Sequence, residues 1–229
     1  PLIIFADADL DQAAADAAFG IFWHLGQVCT ASSRLLVAEE VVEAFVPLLQ
    51  KHGDALKLGD PLEEDTVLGA MVSEEHLNHV LGYVQRGVEE GATLVCGGER
   101  LTDGVFAKGA YMPPTIFTNV RDDMSIVREE IFGPVAAVIP FTDAQDALRI
   151  ANNTEYGLGA GVWTRDIDTA LQMARGLRAG TVWINGYGAD RHEMPWGGYK
   201  QSGFGRELGR AGLEEFLLTK SVHIRLGDL

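Results

Sequence analysis

Cysteine is scarce: Cys29 and Cys96 are the only two in 229 residues. They show none of the paired spacings that hold zinc or build a disulfide framework, so no metal is expected, and a reducing compartment, the cytoplasm, fits best. Basic residues are also in deficit, 18 Lys+Arg against 33 Asp+Glu, for a formal net charge of −15. Such a chain repels phosphate backbones and anionic membrane surfaces, which argues against nucleic acid and membrane as partners. No apolar run approaches the roughly 18 residues of a membrane span, and the N-terminus has no basic segment leading into an apolar one. The opening "PLIIFADADL" has no initiator methionine and starts on a buried-type strand, which reads as a chain cut inside a fold.

What is present is the balance of an ordinary globular protein, 47% hydrophobic and 22% charged. Short apolar runs at 2–5, 33–38, 134–141, 159–164 and 180–185 predict strands. Between them the periodicity predicts helices at 9–23, 39–58, 73–90, 143–152 and 166–177, several opened by Asp or Ser caps. Alternation of this kind predicts an α/β fold, a mainly parallel sheet with helices on both faces. After Asn185 the chain becomes a long loop rich in glycine and aromatics, the usual texture of a functional segment. Alternation from Lys220 to Leu226 predicts a final strand with no later element to cover it, free to pair with another subunit.

Three stretches could carry chemistry. "GQVCTASS" sets Cys29 in a glycine-flanked loop just past a helix. A lone cysteine is most often an inert core residue, but here a ligand could approach it and nearby backbone N–H groups could stabilise an oxyanion. "REEIFGPV" offers Glu130 and Phe132, either a solvated acidic turn or a carboxylate and ring able to grip the ribose and nicotinamide side of a dinucleotide. The aromatic loop, with Tyr187 and Trp196 and the earlier Trp23, reads as core packing or as the rigid wall of a substrate tunnel. Cys96, in the strand-like "TLVCGG", receives no role.

These stretches, in this order, resemble the aldehyde dehydrogenase superfamily. The likeness runs through "FADADLDQAAADAAFGIFWHLGQVCTASSRLLV", "REEIFGPV", "NNTEYGLGAGVWTRD", "GTVWIN" and "PWGGYKQSGFGRELG". It implies an NAD- or NADP-dependent oxidation of an aldehyde to a carboxylic acid through a cysteine thiohemiacetal and thioester. Cys29 matches the catalytic thiolate, whose own N–H forms part of the oxyanion hole, Glu130 the ribose-binding acid and Phe132 the aromatic beside the nicotinamide. His76 and, less directly, His79 fall where polar residues of the family approach the cofactor. Glu207 matches a buried acid used in proton relay. Trp23, Trp196 and the 187–193 loop match tunnel-lining positions, and Asp190 and Glu193 near Trp196 make an acid-plus-indole arrangement suited to a cationic head, as in amino-aldehyde and betaine-aldehyde members.

The resemblance further implies a thiol-bearing catalytic domain at 1–201, a connecting segment at 202–215 and an oligomerisation strand at 216–229, so that a homodimer or homotetramer is expected. The family's glycine-rich dinucleotide-binding domain and glutamate general base would lie upstream of Pro1. The chain alone is therefore expected to be catalytically poor. Competing readings are a CoA-acylating relative, a non-catalytic oligomerising module and, least favoured, a Cys–His hydrolase for which His24 is the nearest imidazole.

Overall fold

A computed structural model describes residues 1–189 and 191–227. The chain forms β1 (Leu2–Ile4), α1 (Leu10–Phe22), β2 (Arg34–Ala38), α2 (Val42–Asp54), α3 (Glu74–Glu89), β3 (Thr93–Cys96), β4 (Thr115–Thr118), α4 (Ser125–Arg128) and β5 (Val135–Phe141). It continues with α5 (Ala144–Asn152), β6 (Tyr156–Gly157), β7 (Gly159–Trp163), α6 (Ile167–Gly176), β8 (Thr181–Ile184), β9 (Tyr199–Lys200) and α7 (Gly209–Glu214). Seven strands make one sheet in the order β3-β4-β5-β2-β1-β7-β8. Every pairing in it is parallel except β3 with β4.

Side-chain alternation along the central strands divides the core in two. Leu2, Ile4, Leu35, Val37, Ala136 and Val138 face α1 and α2, where Ala13, Ala14, Ala17, Phe22, Phe45 and Leu49 meet them. Ile3, Leu36, Ala137 and Ile139 face the opposite way, onto Leu77, Val80 and Val84 of α3, Ala147 and Ile150 of α5 and Met173 of α6. The alanines of α1 explain its close seat: small side chains let the helix lie near the sheet without opening a void. Side-chain caps open four of these helices, with Asp9, Ser73, Asp143 and Asp166 side chains accepting from first-turn amides.

One expectation needs correction. The helix predicted over 39–58 is shorter: a 3-10 turn at Glu39–Val41 precedes α2, and Leu58 instead bridges to Leu68. Residues 217–226 form no strand within the chain. Phe216, Leu218, Val222, Ile224 and Leu226 are largely exposed there, since an extended segment becomes a strand only when a neighbour accepts its ladder bonds. No helix among the described residues is long and apolar enough to cross a membrane.

Because Leu36 lies fully buried at the centre of the sheet, Leu36→Ala should cost about 2–5 kcal/mol in a urea melt. Val72→Ala, at an exposed position, should stay within about 0.5 kcal/mol.

Candidate active site

The thiol is presented by an unusual approach. After α1, His24, Leu25 and Gly26 take left-handed backbone angles in succession, with φ of 54°, 54° and 66°. Such conformations cost a non-glycine residue of order 1 kcal/mol each and persist where surrounding contacts over-determine them. Leu25 is held by burial in the core. Gly26 is held by contact: a Cβ there would lie 2.2 Å from the Gly133 carbonyl oxygen. Gly133 is confined in turn, since its own Cβ would fall 2.7 Å from Val80 of α3. Two backbones thus touch where only glycine fits, and the contact joins the loop carrying Cys29 to the loop carrying Glu130.

Cys29 and Glu130 therefore share one cleft of about 310 Å³, with Thr30, Ser33, Arg34, Glu129 and Phe132 also on its walls. Cys29 is exposed and unpaired in any disulfide, and Glu130 and Phe132 are exposed too. Cys29 sits in a tight turn closed by the Ala31 amide donating to the Val28 carbonyl at 2.9 Å. The amides of Cys29 and Thr30 donate to no acceptor among the described residues, leaving two N–H groups beside the sulfur for a developing negative charge.

Glu130 is framed by α3. His76 Nε2 lies 2.7 Å from the Phe132 carbonyl oxygen, and the Tyr83 hydroxyl donates to Glu129 at 2.7 Å. Arg86 stacks over the Tyr83 ring, while His79 meets both the His76 and Tyr83 rings. The residues on either side of Glu130 are tied down while its own carboxylate has no partner among the described residues.

The cleft opens at the amino ends of β1, β2, β5 and β7, where the helices on one face finish. Helix C-termini leave carbonyls unsatisfied, and cations cover them. Buried Arg34 donates to Ile150 O at 2.6 Å and Ala151 O at 3.2 Å, and Lys200 to Asn152 O and Thr154 O. Sequence reasoning missed both residues, although an arginine opening an otherwise apolar strand was the available signal for Arg34.

Several expected site residues lie elsewhere. None of Trp23, Tyr187, Glu193 and Trp196 lines the cleft shared by Cys29 and Glu130. Trp23 is half exposed and stacks on Phe19. Trp196 lines a second groove with Phe204 and Phe216, and Glu193 is exposed. Asp190 lies outside the described residues. Glu207, expected as a buried acid, is exposed and lines that second groove, its backbone exchanging two 2.7 Å bonds with Trp196. The loop has no helical or strand period, so nothing local dictated which way these side chains turn. Tyr187 sits behind the thiol turn, its hydroxyl donated to the Thr30 carbonyl, and it contacts Trp196 through Trp183, another residue the sequence did not single out.

Fold and site together define an α/β domain with an exposed thiol and an unpartnered carboxylate on the walls of one cleft. The Aldehyde dehydrogenase family matches residues 1–222, and the chain belongs to that family. An aldehyde dehydrogenase of Aspergillus niger is 46% identical over 228 residues, which cover 100% of this chain and 45% of that protein. The crystal structure of an NAD-dependent aldehyde dehydrogenase from Sinorhizobium meliloti superposes with a TM-score of 0.96 at 47% identity, over 100% of this chain and 45% of that one. A betaine aldehyde dehydrogenase from Staphylococcus aureus, in complex with NAD+, gives 0.93 at 43% identity, over 96% of this chain and 44% of that one. The chain thus spans a little under half the length of these relatives.

Two measurements check this geometry. Gly26→Ala should destabilise the fold by about 2–4 kcal/mol in denaturant, more than a helix-surface change would, because strain and overlap add. Burial, with a smaller contribution from the Cys29 charge, pushes the Tyr187 phenol up from its ordinary 10.0. The folded chain then holds that proton more tightly than the unfolded chain does. Its stabilising effect should be complete below pH 10 and decline as pH rises beyond it, and ultraviolet titration should show the last phenol to ionise disappearing in Tyr187→Phe.

Proposed function

We propose that this chain carries the thiol and ribose-binding half of an NAD(P)-dependent aldehyde oxidation, with Cys29 as nucleophile. The observation that carries the reading is the shared cleft: an exposed thiol in a turn with two unused amides, across from a carboxylate whose neighbours are fixed and which is itself free. Cys29 Sγ, as thiolate, adds to the aldehyde carbon, and the amides of Cys29 and Thr30 receive the charge that moves onto oxygen. Oxidation of the resulting thiohemiacetal to a thioester on Cys29 requires a hydride acceptor, the chemistry that a bound nicotinamide cofactor would supply, and water would then cleave the thioester to the carboxylic acid. The cleft fits such a cofactor through Glu130, able to accept from ribose hydroxyls, and the exposed ring of Phe132. His76, bonded to the backbone of Phe132, holds that ring's loop.

Relatives include betaine aldehyde dehydrogenase, but neither Trp196 nor Glu193 lines the cleft, so the reading extends to aldehydes as a class and no further. The tail of 216–227 is proposed to pair with a second copy, on the strength of its exposed alternating apolar side chains. Glu207, exposed in the single chain, keeps its proposed relay role only if further polypeptide covers it.

An activated aryl ester acylates a nucleophilic thiol without any hydride acceptor and so tests the claim directly on this chain. Acylation should fall on Cys29 at least about ten-fold faster than on Cys96, whose thiol is half-buried and pushed up by burial. Peptide mass analysis reads the site. Equal or preferential labelling of Cys96 would overturn the assignment. With NAD and a panel of aldehydes the 229-residue chain should reduce little or no cofactor, because it spans only 45% of the length of these relatives and the resemblance assigns the family's general base and dinucleotide-binding domain to the remainder. Turnover near the roughly 10 s⁻¹ typical of enzymes would show that the chain needs neither.

A further inference from the structure

Tyr187 is mounted with unusual rigidity for a residue in a glycine-rich loop. Asn185, at the end of β8, takes a left-handed φ of 52° and exchanges two bonds with Thr164 at the end of β7, Thr164 N to its Oδ1 at 3.0 Å and its Nδ2 to Thr164 O at 2.9 Å. The chain reversal that carries Tyr187 is thereby fixed to the sheet. The ring itself fits between two glycines. A Cβ on Gly20 of α1 would meet Tyr187 Cδ1 at 3.1 Å, and one on Gly161 of β7 would meet Cδ2 at 2.8 Å. Trp183 closes another side with ring centroids 4.7 Å apart.

The hydroxyl at the end of this ring donates to the Thr30 carbonyl. That carbonyl and the Ala31 amide belong to one peptide unit, and the amide already donates to Val28 O at 2.9 Å. The exit from the turn is pinned as well, Ser32 N donating to Gly20 O at 3.1 Å. The peptide that closes the thiol turn is thus held at both its polar atoms, while the two amides before it stay free. A sequence reading places Tyr187 in a substrate wall; in the structure it lies behind the thiol turn and is not among the residues lining the cleft.

We infer that Tyr187 is a positioning residue for Cys29: its hydroxyl fixes the Thr30 carbonyl, and through that peptide it sets the Cys29 and Thr30 amides where an oxyanion on the attacked carbonyl can use them. The inference rests on the reading of Cys29 as nucleophile and adds to it the group that orients the turn.

The test exploits two reactions of one sulfur. Alkylation by iodoacetamide displaces iodide at a saturated carbon and develops no oxyanion. Acylation by an aryl ester passes through one. Tyr187→Phe retains the ring and removes only the hydroxyl. It should lower the acylation rate of Cys29 about ten-fold or more, leave its alkylation rate within about two-fold across pH 6 to 10, leave alkylation of Cys96 nearly unchanged, and lower the melting temperature by no more than the few degrees that one lost hydrogen bond allows. Acylation and alkylation of Cys29 falling together, or neither changing, would overturn the positioning role while leaving Cys29 a nucleophile. A wild-type Cys29 that resists acylation altogether would overturn the nucleophile reading and this inference with it.

Discussion

The site depends on one contact between backbones, Gly26 against Gly133. The two loops it joins are separated by most of the sheet's connectivity, one following α1 and the other leading into β5. A Cβ on either residue would overlap a neighbour, the Gly133 carbonyl in one case and Val80 in the other. Adding a methyl group would push the thiol loop away from the carboxylate loop, and the cleft would widen at its hinge. Val80 extends the joint into α3, whose His76 and Tyr83 hold the same carboxylate loop further along. Core, helix and site are therefore one packed unit, and strain in the left-handed run of residues 24–26 is offset by the contacts it makes possible.

A cleft at the amino ends of parallel strands is the less common arrangement in open α/β sheets, where ligands generally sit at the carboxyl ends. At this end the helices finish, so a ligand meets carbonyl oxygens and the negative end of each helix dipole. Arg34 and Lys200 answer that by donating to the terminal carbonyls around α5, and Arg128 and Arg178 also line the cleft. The net charge of −15 does not prevent an anionic cofactor from binding under the proposed function. Charges more than a Debye length away, about 8 Å at physiological salt, are largely screened, and those that remain include these four cations.

The fold was legible because its signals are local. Period-two and period-3.6 patterns, together with Asp9, Ser73 and Asp143 as caps, locate most elements to within a few residues. The exceptions are instructive. Apolar periodicity carried the prediction for 39–58 past both ends of α2, where a 3-10 turn and the Leu58–Leu68 bridge take over. Alternation at 220–226 is a necessary condition for a strand, but the ladder partner is a tertiary fact. Of the site, Cys29 and Glu130 were legible through the family's motifs, and the structure brings them to one cleft. The glycine joint was not, since a glycine in "GQVC" or "FGPV" does not reveal which backbone it will meet. Nor was the direction of Tyr187: in a loop without period, a side chain's aim follows from its mount, here Asn185 and the end of β7.

The presentation of Cys29 follows from how the turn spends its hydrogen bonds. Buried backbone groups are almost always paired, and around the thiol every paired group has an identifiable function: Ala31 N closes the turn, Ser32 N anchors it to α1, and Thr30 O takes the Tyr187 hydroxyl. What is left over is the pair of amides adjoining the sulfur, in an open cleft where water, or under the proposed function a substrate oxygen, can satisfy them. A thiol at a helix N-terminus would have drawn on the helix dipole for stabilisation of negative charge. This one follows the C-terminus of α1, so under the proposed function the turn itself provides the donors, and a turn can do so only if its geometry is held from outside.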